Sequence, residues 1–301
     1  MLTRTARLLP VLALGAGVLP ASAQEVTLPR RPNSVRFAVI GDAGTGDRRS
    51  YELAAQLAAF HQKFPFTFVL MLGDNIYGSE RPQDFQRKFE TPFKPLLDAG
   101  VEFHAALGNH DDQNQRFYKP FNMGGERYHT FRKGNVRFYV LDSNYLDPEQ
   151  LTWLEKELSG GGSDWKIPYF HHPLYTTARR GPAVNLRRSL EPLFIKYGVN
   201  VVFSGHEHAY ERLKPQHGIY YFTSGAAAKL NEGTVRPGQI TEKVYDADRH
   251  FILVEIVRNA MYFQVVSRTG ETVDRGAIQR QQSITQPTQR RPAARPPAQR
   301  P

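Results

Sequence analysis

The chain contains no cysteine, which excludes a disulfide scaffold, a zinc ribbon, thiol catalysis and a thioether lipid anchor. Long apolar runs are nearly as scarce. The run from Leu8 to Leu19 is broken by Gly15 and Gly17 and falls short of the roughly 20 residues that span a bilayer. No other stretch approaches that length, so no membrane span is expected. Acidic residues are missing from both ends, where Arg4 and Arg7 lie at one and Arg280, Arg290, Arg291, Arg295 and Arg300 at the other. The formal charge of +10 therefore falls to +3 for the body, too little for a groove that tracks nucleic-acid phosphates.

What remains is ordinary globular material. With 40% hydrophobic, 12% aromatic and 23% charged residues, the chain is neither wholly disordered nor collagen-like. Its 301 residues suit two domains or one long α/β unit, and the absence of an internal linker favours one, over residues 24–278. Residues 1–23 combine a basic start, a short apolar run and Ala21-Ser22-Ala23, the pattern of a cleaved signal peptide. The expectation is an exported protein, periplasmic or secreted. From Gln279 onward the sequence is Gln, Pro, Arg and Ala with Ile284 the only large apolar residue, so residues 279–301 are expected to be a disordered tail. The tail reads as a solvated appendage that could also touch anionic surfaces.

Within the body, apolar runs of strand length occur at Val35–Ile40, Phe66–Leu72, Val101–Leu107, Val136–Leu141, Ile167–Phe170 and Val199–Phe203. Helical patterns lie between them. Leu53, Leu57 and Phe60 share one face, as do Leu151, Leu154 and Leu158, the latter preceded by Asp147 as N-cap, Pro148 and Gln150. After residue 212 only strands follow, at Ile219–Thr223, Phe251–Ile256 and Met261–Val266. The order implies layered α/β architecture ending in antiparallel strands.

The residues that follow these strands carry the chemistry. They are Gly41-Asp42-Ala43-Gly44, Gly73-Asp74-Asn75-Ile76-Tyr77, Gly108-Asn109-His110-Asp111, His171-His172-Pro173 and Gly205-His206-Glu207-His208. Ligands bind at the carboxyl ends of strands in open α/β sheets, so five such ends converge on one place. Each element alone has an ordinary reading as a turn, a helix cap or a packed ring. Together Asp42, Asp74, Tyr77, Asn109, His171, His206 and His208 offer three anionic oxygens, one amide oxygen and three imidazoles. That is too many for one tetrahedral zinc and suits two ions sharing a bridge. A phenolate among them favours ferric iron.

The five blocks, in this order and spacing, resemble the metallophosphoesterases of the calcineurin-like superfamily, and the tyrosine of the second block resembles the purple acid phosphatases, including the tartrate-resistant type. The resemblance runs from about residue 35 to 225. It implies a sandwich of two mixed β-sheets flanked by helices. It also implies that Asp42, Tyr77 and His208 hold Fe(III), that Asn109, His171 and His206 hold divalent iron, zinc or manganese, and that Asp74 bridges. His110 is then expected to stabilise phosphate and to protonate the leaving group, with Asp111 as its orienter, while His172 has no assigned chemistry. Animal-type relatives carry a second catalytic histidine before a Gly-Pro, where this chain has Arg180. An arginine cannot give up a proton at working pH but can grip phosphate bidentately, so Arg180 is a candidate catalytic residue. The function implied is an acid phosphatase that hydrolyses small phosphate monoesters by attack of a metal-held hydroxide, working at acidic pH. The alternatives are a phosphodiesterase acting on nucleotides or lipid head groups, and a non-catalytic relative, which the complete ligand set disfavours.

Overall fold

The computed structural model describes residues 25–160, 162 and 164–280. The expected signal peptide, and the expected tail beyond Arg280, lie outside them.

The first half comprises β1 (Val35–Ile40), α1 (Arg48–Lys63), β2 (Phe68–Met71), α2 (Pro82–Phe85), a π-helical turn into α3 (Thr91–Asp98), β3 (Glu102–Ala105), β4 (His129–Lys133) and β5 (Val136–Val140). Then follow α4 (Pro148–Ser159), β6 (Trp165–Phe170), α5 (Val184–Lys196), β7 (Val201–Ser204), β8 (Tyr210–Leu213), β9 (Tyr220–Ser224), β10 (Thr241–Tyr245), β11 (His250–Val257), β12 (Ala260–Ser267) and β13 (Thr272–Gln279). One sheet has the order β13-β12-β11-β1-β2-β3 and the other β10-β8-β9-β7-β6-β5-β4. Both are mixed, with β1, β2 and β3 parallel, β5, β6, β7 and β9 parallel, and antiparallel strands outside these runs.

Period-two alternation sorts the core. Phe37, Val39, Phe68 and Leu70 point between the sheets and meet Phe138, Ile167 and Phe203 of the second sheet. Their neighbours Ala38, Ile40, Val69 and Met71 point outward, where Leu53, Leu57 and Phe60 of α1 and Phe93 of α3 cover them. On the other outer face Tyr139, Phe170 and Val202 are covered by Leu154 and Leu158 of α4 and Leu190 and Phe194 of α5. Both faces of the central strands are thus dry, which is why they read as continuous apolar runs. The fold is the expected helix-flanked sandwich of two mixed sheets.

The structure corrects several expectations. β13 runs through Gln279, and Arg280 N donates to Asn259 O at 2.8 Å, so the ordered sheet extends past the expected tail boundary. Strands β4, β8, β10 and β13 and helices α2, α3 and α5 were not foreseen; Pro95 and Pro192 sit inside the last two helices. Asp147 caps α4 by accepting from Gln150 N at 2.7 Å. The Gln150 side chain, however, is buried and clamps the backbone of Asp142 on both its N–H and C=O.

His250 on β11 is fully buried with Nε2 2.9 Å from Ser224 Oγ, and burial pushes its pKa down to about 3. The unfolded chain takes up this proton below the ordinary value near 6.5 and the folded chain does not, so stability is lost as pH falls from there towards 3. The loss from this residue at pH 4 is about 3 kcal/mol. Urea midpoints of His250→Gln between pH 7 and 4 are expected to fall less steeply than those of the parent; parallel curves would show that His250 does not set the acid limb.

Candidate metal centre

Three of the candidate residues have left-handed backbone, Asp42 at φ 56°, Asp74 at φ 52° and His206 at φ 69°. Such non-glycine conformations cost roughly 1–3 kcal/mol each and collect at functional sites. The strand ends must turn this sharply to aim side chains across the sheet edges rather than along them. Close packing makes the turns possible: a Cβ on Gly108 would collide with the backbone N and carboxylate of Asp74.

The side chains meet in two triangles. Asn109 Oδ1 lies 3.0 Å from His171 Nε2 and 3.0 Å from His206 Nδ1, which is 3.2 Å from His171 Nε2. His171 Nδ1 donates to Leu72 O at 2.9 Å, so in the neutral ring Nε2 is a bare lone pair facing the amide oxygen. At most one N–H, on His206, serves the whole triangle. In the second triangle Tyr77 Oη lies 3.0 Å from Asp42 Oδ1 and 3.3 Å from His208 Nε2, which is 3.3 Å from Asp42 Oδ1. Ligands about 2.1 Å from one ion and at right angles are about 3 Å apart, which is the spacing of both sets.

Asp74 adjoins both triangles. Its Oδ1 is 3.4 Å from His171 Nε2, and it groups with Asp42 and His208 within 4.8 Å. The electrostatics fit cations at these positions. Burial pushes the Asp42 carboxyl well above its ordinary value, and burial with the charges of Asp42 and Asp74 raises the Tyr77 phenol far above its own. Without a nearby positive charge Asp42 and Tyr77 resist ionising, whereas Asp74, despite its burial, is held below its ordinary value by His171 and the His110 N–H. Burial also lowers His206 to about 3 and His208 to about 4, so both imidazoles keep free lone pairs in acid.

His110 belongs to neither triangle. It is exposed, its backbone N–H donates to Asp74 Oδ1 at 3.0 Å, and its ring centroid is 5.0 Å from that of Tyr77. Asp111 does not orient it as expected. The Asp111 carboxylate accepts from Ile76 N, Gln115 Nε2, Gly108 N and Asn75 Nδ2 at 2.8 to 3.1 Å, stapling the second block to the third. Arg180 has a contact within the chain that the sequence did not suggest. Its Nη1 donates to His206 O at 2.5 Å and lies 3.8 Å from Glu207 Oε2, so half of the guanidinium braces the fifth block.

A sixth strand end was missed. After β5, Asp142 is pinned by Arg127 at 2.7 Å and by Gln150, Asn144 Nδ2 donates to Gly108 O at 3.1 Å, and Ser143 Oγ meets His172 Nδ1 at 2.9 Å. The signal was available, since Leu141-Asp142-Ser143-Asn144 repeats the pattern of polar residues directly after an apolar strand. Lys229 was missed as well; its Nζ sits 4.7 Å from the centroid of the Tyr77 ring. Two cavities flank Asn109. One of about 710 Å³ lies on the His110 side, lined by Gly78, Arg81, Phe85 and Tyr118, and one of about 470 Å³ on the other, lined by Ser143, Asn144, Tyr145, His172 and Leu186.

The family model described as calcineurin-like phosphoesterase matches residues 35–210. Human tartrate-resistant acid phosphatase type 5 is 27% identical over 87% of this chain and 95% of its own length. Purple acid phosphatase 7 of Arabidopsis thaliana is 23% identical over 81% of this chain and 86% of its own. Among solved structures, purple acid phosphatase PPD1 from yellow lupin seeds superposes with a TM-score of 0.65 at 19% identity, over 84% of this chain and 55% of that one. GAP50, described as the anchor in the inner membrane complex of Plasmodium, gives 0.73 at 18% identity, over 84% and 90%. At these identities the structural likenesses speak to fold alone.

Proposed function

The chain belongs to the calcineurin-like phosphoesterase family, and from that premise we propose that it is an exported acid phosphatase that hydrolyses small phosphate monoesters at a centre of two metal ions. The observation that carries this reading is the pair of donor triangles that Asp74 adjoins on both sides. Asp42, Tyr77 and His208 would hold Fe(III), Asn109, His171 and His206 a divalent iron, zinc or manganese ion, and Asp74 would join them. Such a pair of ions, when bound, supplies an activated water and offsets charge on phosphoryl oxygens.

The chain's own groups divide the remaining work. Exposed beside the second triangle, His110 can donate to a phosphoryl or leaving-group oxygen. Arg180 fixes His206 through its carbonyl and brings a positive charge to the rim. The two cavities beside Asn109 leave room for the alcohol portion of a monoester on either side. The small-x-small pattern ending at Ala23 supports export, and no helix among the described residues is long and apolar enough to cross a membrane.

Elemental analysis and a visible spectrum of the protein isolated with iron test this reading. Two ions per chain and a phenolate-to-iron charge-transfer band are expected, together with faster turnover of p-nitrophenyl phosphate than of its diester. Tyr77→Phe keeps the ring and removes the oxygen, so the band is expected to disappear while the fold survives. An active, iron-loaded, colourless protein, or an equally coloured Phe variant, would remove Tyr77 from the ligand set and favour the phosphodiesterase reading.

A further inference from the structure

His172, next to His171 but outside both triangles, has no part in the functions assigned so far. Its ring centroid is 4.5 Å from that of His206 and 5.0 Å from that of His171, and ring nitrogens of the three lie within 4.8 Å of one another. It also lines the smaller cavity, together with Asn109 and Ser143. The imidazole therefore borders the Asn109 triangle and an open space large enough for part of a ligand.

Ser143 decides which nitrogen carries the proton. Its Oγ accepts from the backbone N–H of His172 at 3.1 Å and lies 2.9 Å from His172 Nδ1. Ser143 is buried, and a hydroxyl has one proton to place. If Nδ1 were the donor, that hydroxyl proton would be left without a described acceptor; if the hydroxyl donates to Nδ1, every group at this contact is satisfied. The neutral ring then carries its hydrogen on Nε2. Ser143 is itself held in place, because Asp142 before it is clamped by Gln150 and Arg127, and Asn144 after it is tied to Gly108. The donor is preorganised from a loop rather than from the metal-facing blocks.

We propose that His172 is a phosphate-binding residue, its Nε2–H donating to a phosphoryl oxygen on the Asn109 side of the centre, with Ser143 as the positioning residue that fixes the tautomer. This rests on the phosphatase reading above, since it supplies a further hydrogen bond to the same phosphoryl group from the cavity that Ser143 and Asn144 line. The contact is a hydrogen bond to a charged acceptor, and no proton is transferred.

The test is calorimetric titration of inorganic phosphate into the metal-loaded full chain, with elemental analysis of each variant. A hydrogen bond to a charged group is worth roughly tenfold or more in affinity. His172→Ala is therefore expected to weaken phosphate binding by about that factor with two ions retained. His172→Gln places an amide N–H near the Nε2 position and is expected to recover most of the loss, and Ser143→Ala to show a smaller loss than His172→Ala. Unchanged phosphate affinity in His172→Ala would overturn the proposal while leaving the phosphatase reading intact. Loss of one ion in His172→Ala and His172→Gln alike would overturn it in favour of His172 as a metal ligand. Wild-type protein that holds two ions but binds no phosphate would overturn the phosphatase reading and this contact with it.

Discussion

Asp74→Ala is expected to leave the chain without either ion and to lower kcat by more than roughly 10³-fold, beyond the usual effect of deleting one electrostatic contact. The reason is position. Asp74 adjoins His171 in one triangle and Asp42 with His208 in the other, and its Oδ1 also receives the His110 N–H. Removing it loosens both triangles and the third block together. Alanine is poorly suited to a φ of 52°, so the variant could lose activity through its backbone alone. Asp74→Asn separates the two effects, because asparagine tolerates left-handed backbone and removes the charge. Elemental analysis of a folded Asn variant is decisive: two equivalents of metal would show that the carboxylate does not bridge.

His110→Ala is expected to act on turnover and not on metal content. Its imidazole is outside both triangles and faces the larger cavity, where it can meet an ester oxygen. Loss of a general acid or oxyanion partner costs roughly 10²- to 10⁴-fold. The fall is expected to be largest on an alkyl phosphate, whose alkoxide leaves badly without a proton, and smaller on p-nitrophenyl phosphate. Equal losses on the two substrates would assign His110 to phosphoryl stabilisation alone, and loss of an ion would place it among the ligands.

How much of this was legible depended on what each residue does. Phe37, Val39, Phe68 and Leu70 announce their strands because both faces of those strands are covered. β4, β10 and β13 lie at sheet edges, where exposed polar residues such as Arg132, Lys243 and Arg275 blur the alternation. β8 was hidden because Tyr210–Leu213 continues the fifth block. All seven candidate ligands could be named because carboxylate, phenol, amide and imidazole groups after strand ends form an unusual inventory, and the structure brings all seven together. The supporting contacts were less visible. Gln150 looks like half of a capping box and serves Asp142 instead; Asp111 looks like a partner for His110 and staples two loops. His171 and His172 stand side by side, and the contacts of His171 with Leu72 and Asn109 and of His172 with Ser143 show how differently the two rings are held.

The placement of β1 has a consequence for the life of the chain before it works. This strand, which delivers Asp42, pairs with β2 on one side and on the other with β11, Val35 facing Ile256. As the polypeptide leaves the ribosome, one edge of β1 has no partner until almost the whole sequence has been made, and contacts so distant along the chain form slowly. During that interval an unpaired edge and the Phe37–Phe68 stack are open to other chains. Of the two edges of β1, the one that faces β11 is therefore the later to be enclosed.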